Sequence, residues 1–420
     1  MSIQKGYEAA KEIYAQLGVD TDKAIEAMKK FVLSIHCWQG DDVGGFESDA
    51  ALDGGLAATG NFPGKARNPE ELRADMDKAF ELIPGVKKAN IHAMYADTPG
   101  SSGKMADRDA LEASHFAGWI NWAKEKGIGI DFNPTFFSHP KAADGFTLSN
   151  ADEGIRKFWV EHTKRCREIS ESIGKQTGVK SINNIWIPDG YKDMTFDKKA
   201  PRERLIKSLD EALKAKFDKN ATADALESKL FGIGSESYVV GSHEFYLLYA
   251  AKNPENLLTL DIGHFHPTES IAGKISAIML FVPELLLHVS RPVRWDSDHV
   301  VAMDDELLAV CQEAVRGGYG DKVNFALDYF DASINRVAAW VIGSRNTQKA
   351  MLRAYLEPYE RLEQAELDGD LTTRLAIGEE LKFYPFSAVW NYYCEISGVP
   401  VRDKWLAEVK KYESDVLAKR

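Results

Sequence analysis

The sequence contains few cysteines and no long apolar run. Only four of its 420 residues are cysteine, they lie far apart, and no two have the CxxC spacing. Scattered thiols in a chain of this size are typically reduced and buried, so we expect neither a disulfide framework nor a cysteine-bound zinc. No apolar run approaches the roughly 18 residues that a membrane span needs, so we expect no membrane contact.

Positive charge is also in deficit. The chain has 52 Lys and Arg against 64 Asp and Glu, a net charge of −12. A nucleic-acid partner would require a basic face, so a small-molecule partner is favoured and nucleic acid is not. Residues 1–16 are charged and amphipathic and lack the apolar region and cleavage site of a secretory signal. We therefore expect a cytoplasmic protein.

Short apolar runs alternate with longer amphipathic stretches along most of the chain. Eight of these runs are predicted to be strands, at residues 32–38, 88–96, 127–135, 182–190, 222–232, 257–267, 285–295 and 323–330. Nearly all of them end in polar or ring-bearing residues. Eight strands with intervening helices, and with polar or ring-bearing residues at their C-terminal ends, predict an α/β protein with a (β/α)8 TIM barrel. A doubly wound open sheet is the alternative, but its sites usually concentrate where strand order reverses.

Helical periodicity precedes and follows these strands. It covers residues 6–30 and the chain from about 335 to 420. We expect a barrel domain over residues 1–335, with N-terminal helices, and a helical C-terminal extension over residues 336–420 for oligomer contacts. The Gly-rich segment 39–65 after the first strand is expected to act as a lid or to reach a neighbouring subunit.

Carboxylates and imidazoles recur at the ends of the later strands. Seven are candidate metal ligands: Glu227, Asp261, His264, His288, Asp296, Asp298 and Asp328. Oxygen and imidazole ligands without thiolates favour Mn²⁺, Mg²⁺ or Co²⁺. Seven are too many for one ion, so the prediction has two sites. An enclosed site takes Glu227, Asp261, His288 and Asp328, and a more open site takes His264, Asp296 and Asp298. The sequence WDSDH (295–299) is expected to be extended, which would turn both of its aspartates to one side.

A lysine and several rings complete the candidate site. Lys229 follows Glu227 on the same predicted strand face, where it is a candidate to donate a hydrogen bond to a substrate carbonyl oxygen; a plain ion pair with the cluster is the alternative. His92 is a candidate to bind a sugar hydroxyl, or else a satisfied core histidine. The pocket wall is expected to include Trp38, Phe136, Phe137 and Trp186, unless these rings are simply core.

Long stretches of the sequence resemble the L-rhamnose isomerase family, a branch of the xylose-isomerase-like barrels. They are SIHCWQGDDVGGFE (34–47), ATGNFPGKARN (58–68), FSHPKAADGFTLS (137–149), NIWIPDG (184–190), ESKLFGIGSESY (227–238), DIGHFHPTE (261–269), HVSRPVRWDSDHV (288–300) and LDYFDASINR (327–336). The wider group has a Glu-Pro-Lys-Pro string where this chain has Glu-Ser-Lys-Leu at 227–230. That departure keeps the charged pair, loses the prolines, and agrees with the rhamnose branch.

The resemblance implies a metal-dependent aldose–ketose isomerase that interconverts L-rhamnose and L-rhamnulose in carbohydrate degradation. It implies a catalytic ion, usually Mn²⁺ with Co²⁺ or Mg²⁺ as substitutes, at His264, Asp296 and Asp298, and a structural Mn²⁺ or Zn²⁺ at the other four ligands. Lys229 and Asp298 would be catalytic, with a 1,2-hydride shift on the open-chain sugar. A cis-enediol route remains open, because the sequence does not separate the two. The family also implies a homotetramer.

Three other functions remain to be weighed. A metal-dependent hydrolase on the same barrel usually has an HxH pair on the first strand, where this chain has Ser34-Ile35-His36. A sugar-binding protein without activity would have no use for an open metal site beside a lysine. An isomerase of another aldose is the remaining alternative, because pocket walls and loops set substrate choice.

Overall fold

Eight parallel strands form a closed barrel at the centre of the molecule. We describe it from a computed structural model, for residues 2–47, 54 and 56–420. Each strand pairs with the next in chain order and the last pairs with the first, which confirms the predicted (β/α)8 class. The strands are β1 (Val32–His36), β2 (Val86–His92), β3 (Gly129–Asn133), β4 (Ser181–Trp186), β5 (Thr222–Glu227), β6 (Leu257–Asp261), β7 (Leu285–Val289) and β8 (Val323–Leu327).

Helices surround the barrel and extend both chain ends. The first two precede the barrel, the next eight each follow a barrel strand, and the last four form the C-terminal extension. They are α1 (Ile3–Ala15), α2 (Thr21–Lys30), α3 (Pro69–Phe80), α4 (Ala117–Lys126), α5 (Glu153–Thr177), α6 (Lys199–Ala212), α7 (His243–Lys252), α8 (Ala272–Met279), α9 (Asp305–Arg316), α10 (Arg336–Tyr355), α11 (Tyr359–Leu367), α12 (Leu371–Leu381), α13 (Phe386–Ile396) and α14 (Trp405–Asp415). Helix α10 packs against α9 and α3 and so completes the ring around the barrel.

The N-terminal helical region is divided into two helices at Gly18 and Asp20. Gly18 has φ +83°, a left-handed conformation that glycine adopts without steric cost and that ends a helix. Asp20 then caps the second helix, because its carboxylate accepts the backbone N–H groups of Asp22 and Lys23 at 3.0 and 3.1 Å. The periodicity over residues 6–30 therefore belongs to two helices rather than one.

Strand register places the candidate ligands side by side at one end of the barrel. Trp186 of β4 pairs with Glu227 of β5, and Glu227 pairs with Thr259 of β6. Asp261 of β6 pairs with His288 of β7. Each of these residues is at or near the C-terminal end of its strand, so parallel pairing alone brings them to one rim.

A buried polar layer closes the barrel beneath this rim. Asp131 of β3 accepts hydrogen bonds from Ser34 Oγ at 2.6 Å, Lys88 Nζ at 2.7 Å and the N–H of Ile182 at 2.8 Å. A buried carboxylate needs such partners to stay charged. Asp131, the acidic residue near the end of the third predicted strand, is therefore hydrogen-bonded inside the barrel and is not part of the site.

The long connection after β1 is anchored at both sides of its central part. The Phe46 N–H donates to Met94 O at 3.1 Å. Further along, Thr59–Gly60 forms a short parallel pairing with Asp331–Ala332, which follow β8. Gly60 has φ +76°, and a Cβ there would lie 2.5 Å from Ala332 O, so this close approach requires glycine. Part of the predicted 39–65 loop, residues 48–53 and 55, lies outside the described residues.

All four cysteines are buried and unpaired. In the part of the chain that the structure describes, no helix combines the length and the apolar character that crossing a bilayer requires.

Candidate active site

The C-terminal rim of the barrel opens into a cavity of about 260 Å³. Six of the seven predicted metal ligands line the cavity: Glu227, His264, His288, Asp296, Asp298 and Asp328. The predicted lysine and four of the residues predicted to contact substrate line it as well: Lys229, Trp38, His92, Phe137 and Trp186. The seventh ligand, Asp261, is 1% exposed and lies just beneath. The barrel thus brings together every residue that the sequence assigned to the site except Phe136.

Four of these residues form what we call the strand cluster: Glu227, Asp261, His288 and Asp328. Their ligand atoms all lie within 4.8 Å of one another. The Nδ1 atom of His288 is 3.1 Å from Glu227 Oε1, 3.1 Å from Asp328 Oδ2 and 3.7 Å from Asp261 Oδ2. Glu227 and Asp261 are the last residues of β5 and β6. His288 is the next-to-last residue of β7, and Asp328 directly follows β8. Rigid strand ends therefore hold the four donor atoms around one point.

The electrostatics of the strand cluster favour a cation. Burial, together with the charges of Glu227 and Asp328, raises the pKa of Asp261 to about 8 against the opposing imidazoles. Burial opposes ionisation of Glu227 as well, but His288 and His264 hold the pKa of that carboxyl well below its usual range. The Oδ2 atom of Asp261 is buried without a hydrogen-bond partner. Oxygen and imidazole donors with an unsatisfied carboxylate oxygen fit a divalent cation.

The side chain of Glu227 is oriented by polar groups on the two neighbouring strands. Asn184 Nδ2 donates to Glu227 Oε2 at 2.5 Å, and Thr259 Oγ1 donates to Asn184 Oδ1 at 2.7 Å. The threonine hydroxyl thereby fixes which end of the amide faces the carboxylate. Because Oε2 is occupied, only Oε1 of Glu227 remains directed at His288.

The two aspartates of the strand cluster are held in the same way. Asp261 Oδ1 accepts the Gly263 N–H at 2.6 Å and the Ser290 hydroxyl at 3.0 Å. Asp328 Oδ1 accepts the indole N–H of Trp38 at 3.0 Å. Each aspartate therefore has one oxygen held by these donors, and its other oxygen faces His288 Nδ1. Donors of this kind orient metal ligands in protein sites.

The other three candidate ligands form what we call the loop set: His264, Asp296 and Asp298. His264 lies in the 3-10 turn Ile262–His264 after β6, and its Nε2 atom is 3.3 Å from Asp296 Oδ2. Its Nδ1 atom is 3.3 Å from Glu227 Oε1, so His264 contacts both groups. Burial opposes the charged imidazole, but Asp261 and Asp296 outweigh it and raise the pKa of His264 well above its ordinary value.

The expectation of an extended WDSDH segment is wrong. Residues 293–296 bend, and Asp298 has φ +45°, a left-handed conformation that aspartate tolerates better than most residues. The Ser297 hydroxyl accepts the Val293 N–H at 2.9 Å and stabilises the bend. Both aspartates nevertheless line the cavity. Burial and the charge of Asp296 raise the pKa of Asp298 well above its usual range.

Lys229 is buried and has no carboxylate within ion-pair distance among the described residues. Its Nζ atom donates to Gly54 O at 2.9 Å and lies 5.2 Å from the centroid of the Trp186 ring. Burial lowers the pKa of Lys229, and Asp296 is the largest of the charges that oppose the shift. The alternative of a plain ion pair is therefore not what the structure shows.

Rings form an arc on one side of the cavity. Centroids are 4.7 Å apart for Trp38 and His92, 5.7 Å for His92 and Phe137, and 6.0 Å for Phe137 and Trp186. Burial lowers the pKa of His92 to about 4, so this imidazole is neutral at physiological pH. Phe136 is not part of the arc, because it packs against Trp159 in the core and is fully buried.

Sequence reasoning missed the groups that orient the ligands. Asn184, Thr259 and Ser290 are buried polar residues in or next to otherwise apolar strands, and that mismatch was the available signal. It also missed the apolar cavity residues from loops, which include Leu56, Ile233, Trp295 and Phe330. Trp295 and Phe330 end two of the predicted strands, but the observed strands end earlier and leave both residues in loops.

Comparison with known proteins shows the family of this chain. A family model for L-rhamnose isomerase (RhaA) matches residues 1–420. The L-rhamnose isomerase of Rhodopirellula baltica is 56% identical over 420 residues, covering 100% of this chain and 97% of that protein. The L-rhamnose isomerase of Listeria monocytogenes serotype 4a is 55% identical over 419 residues, covering 100% of this chain and 99% of that protein. A solved L-ribulose 3-epimerase matches remotely, with a TM-score of 0.47 and 13% identity over 80% of this chain and 97% of that one. This chain is an isomerase that belongs to the L-rhamnose isomerase (RhaA) family.

Proposed function

We propose that this chain interconverts L-rhamnose and L-rhamnulose as a metal-dependent aldose–ketose isomerase. The observation that carries the proposal is the strand cluster beside Lys229, in a cavity walled by rings. The strand cluster has the donor chemistry for a divalent cation, and the lysine has the chemistry to stabilise a developing negative charge. An isomerase of another aldose is the alternative.

We assign the two groups of ligands to two ions. Glu227, Asp261, His288 and Asp328 hold a structural ion, Mn²⁺ or Zn²⁺. His264, Asp296 and Asp298 hold the catalytic ion, Mn²⁺, for which Co²⁺ or Mg²⁺ can substitute. When bound, such an ion supplies Lewis acidity to a sugar carbonyl oxygen and lowers the pKa of an adjacent hydroxyl. Asp261 also lies near the catalytic position, since it interacts electrostatically with His264.

The remaining residues bind and position the open-chain sugar. Lys229 donates a hydrogen bond from Nζ to the carbonyl oxygen, in exchange for its present acceptor, Gly54 O. Neutral His92 hydrogen-bonds a sugar hydroxyl, while Trp38, Phe137 and Trp186 pack against the apolar face of the sugar and exclude water.

The hydrogen transfer itself needs no protein acceptor in the hydride route. The C2 hydrogen moves to C1 with its electron pair as the aldose becomes the ketose, and the O2 proton moves to O1. Asp298, the second residue that we place among the catalytic groups, borders the cavity where this proton transfer takes place. Reaction in D₂O separates the routes, because an enediol exchanges the migrating hydrogen with solvent and a hydride shift retains it.

The C-terminal helices are the proposed oligomer contact. Helices α11 and α12 and the turn after them expose four large apolar side chains: Leu367 (75%), Leu371 (54%), Leu375 (64%) and Phe383 (86%). Exposed apolar groups in one region are typical of subunit interfaces. We propose a cytoplasmic homotetramer that uses this extension. We start the extension at α11 and not at residue 336, because α10 packs against the barrel helices α9 and α3. Light scattering of the purified protein tests the size of the oligomer.

The first experiment measures ketose formation from L-rhamnose by EDTA-stripped protein, with and without added Mn²⁺. D-xylose and L-mannose serve as comparison aldoses. We expect turnover that Mn²⁺ restores and that is strongest on L-rhamnose. Stronger turnover on another aldose would favour the alternative isomerase, and no turnover on any aldose would overturn the proposal.

A further inference from the structure

Three carboxylate oxygens of the strand cluster, one from each carboxylate, all face the same imidazole nitrogen. They are Glu227 Oε1, Asp261 Oδ2 and Asp328 Oδ2, the three oxygens nearest to His288 Nδ1. The opposite oxygen of every carboxylate accepts a hydrogen bond from Asn184, from Gly263 and Ser290, or from Trp38. The pattern is the same on three separate strands, although the donors are a side-chain amide, a backbone N–H, a hydroxyl and an indole.

An oxygen that accepts a hydrogen bond has fewer lone pairs to give to a cation, so each of these carboxylates offers mainly its other oxygen. The three carboxylates then supply one oxygen each, and His288 supplies a nitrogen. Ca²⁺ takes six to eight oxygen ligands and commonly binds carboxylates through both oxygens, whereas Mn²⁺, Co²⁺ and Zn²⁺ accept fewer ligands and imidazole nitrogen. A site restricted in this way disfavours Ca²⁺.

We propose that Trp38, Asn184, Gly263 and Ser290 act as a selectivity device. By holding one oxygen of each carboxylate, they make the strand cluster select small divalent ions against Ca²⁺. The inference rests on the proposed metal centre and adds to it a determinant that does not itself touch the ion.

The donors are held firmly enough to act in this way. Trp38 is 3% exposed and its ring packs edge-on against His36 and His92. Asn184 is 3% exposed, and its amide is fixed by the Thr259 hydroxyl. Gly263 donates from its backbone, so that no side-chain rotation can remove its contribution.

The test compares two tryptophans in the same cavity. Trp38 donates its indole N–H to Asp328, whereas the indole N–H of Trp186 has no hydrogen-bond partner among the described residues. Trp38→Phe removes a donor and keeps a ring, and Trp186→Phe is the matched control. Both are made in an Asp298→Asn background, which weakens the loop set. Mn²⁺ binding to EDTA-stripped protein is measured by electron paramagnetic resonance, and Ca²⁺ is then added as competitor.

We expect Trp38→Phe to lower the preference for Mn²⁺ over Ca²⁺ by about tenfold, in the range that groups behind metal ligands affect affinity. Ser290→Ala should lower it less, since Gly263 still holds Asp261, and it provides a second test if Trp38→Phe folds poorly. Trp186→Phe should leave the preference unchanged. An equal loss of both ions in Trp38→Phe and Ser290→Ala, or no change beyond that of Trp186→Phe, would overturn the inference and leave the metal centre standing. Failure of the background protein and the unmutated chain to bind Mn²⁺ would instead overturn the proposed metal centre.

Discussion

The strand cluster and the loop set share one cavity but are built differently. Among the described residues, only the strand cluster brings four ligand atoms within 4.8 Å of one another. Its carboxylates are oriented by donors on the barrel strands or in the turns that directly follow them. The loop set has a shared contact between His264 and Asp296, but Asp298 is on a bent segment with φ +45°, and Asp296 Oδ1 is buried without a partner. A site on strands is held more precisely than a site on loops.

The largest expected effects on turnover and on stabilisation by Mn²⁺ come from substitutions that distinguish the strand cluster from the loop set. Glu227→Gln should remove both turnover and the stabilisation by Mn²⁺, because it damages the preformed site and the contact with His264. Asp298→Asn should reduce turnover by about a thousandfold while Mn²⁺ still raises the melting temperature. Ketose assays and calorimetry with and without Mn²⁺ measure both quantities. Full turnover in Asp298→Asn would break the assignment of two sites.

A somewhat smaller effect on turnover is expected for substitution of Lys229. Lys229→Met retains the length and apolar stem of the side chain but removes the charged donor. The kcat on L-rhamnose should fall by about a hundredfold, with sugar binding retained, because one donor to a developing oxyanion is lost. Timed assays of ketose formation measure kcat, and equilibrium binding of L-rhamnose measures the affinity for the sugar. A wild-type kcat would refute the role of Lys229 at the carbonyl.

The pH dependence of stability should reveal the buried charge of the strand cluster. In EDTA-treated protein the pKa of Asp261 is raised to about 8, mainly by burial, whereas an unfolded chain has an aspartate pKa of about 3.9. Between these values the folded state holds a proton that the unfolded state lacks. The free energy of unfolding should therefore fall as pH rises, by at most about 1.4 kcal/mol per pH unit for this proton.

Urea unfolding at pH 5, 6.5 and 8 measures this slope, and Asp261→Asn is the matched variant. It should make the slope in EDTA shallower without removing it, because Asp298 and His264 also have raised pKa values. An unchanged slope would show that another group binds the proton. Added Mn²⁺ should reverse the trend for the parent protein, because carboxylate ligands must lose their protons to bind a cation.

The smallest effect concerns the bend that carries the loop set. Ser297→Ala removes the acceptor of the Val293 N–H, a hydrogen bond worth about 0.5–1.5 kcal/mol. Mn²⁺ affinity at the loop set should fall by about tenfold or less, with no change in the melting temperature of EDTA-treated protein. Ser290→Ala is the comparison in the strand cluster. If Ser297→Ala instead lowered the stability of the barrel, the two groups would be less independent than we infer.

The sequence predicted the barrel well because strand starts follow local apolar patterns. All eight strands begin within two residues of their predicted positions. Their ends were predicted too late, because residues such as Cys37–Gln39 and Ile262–His264 continue the apolar pattern while the backbone turns into 3-10 helix. Periodicity records which side chains are buried and does not record where a backbone leaves the ladder.

Candidate ligands were predictable for the same reason. A carboxylate that ends a parallel strand must reach the common rim, so Glu227 and Asp261 followed from topology alone. The bend at Asp298 and the hydrogen bond from Lys229 to Gly54 depend on contacts between loops distant in sequence. No local pattern encodes such contacts, and the donors behind the ligands were missed because a buried Asn or Thr reveals its partner only in three dimensions.

The short pairing of Thr59–Gly60 with Asp331–Ala332 has a consequence for chain entropy. Together with the hydrogen bond from Phe46 to Met94 O, it ties both ends of the segment between Phe46 and Thr59 to the barrel. The entropic cost of closing a loop grows only logarithmically with its length, about 0.6 kcal/mol for each doubling. The length of chain between these two attachment points can therefore change at small entropic cost to folding, because both attachments stay on the barrel.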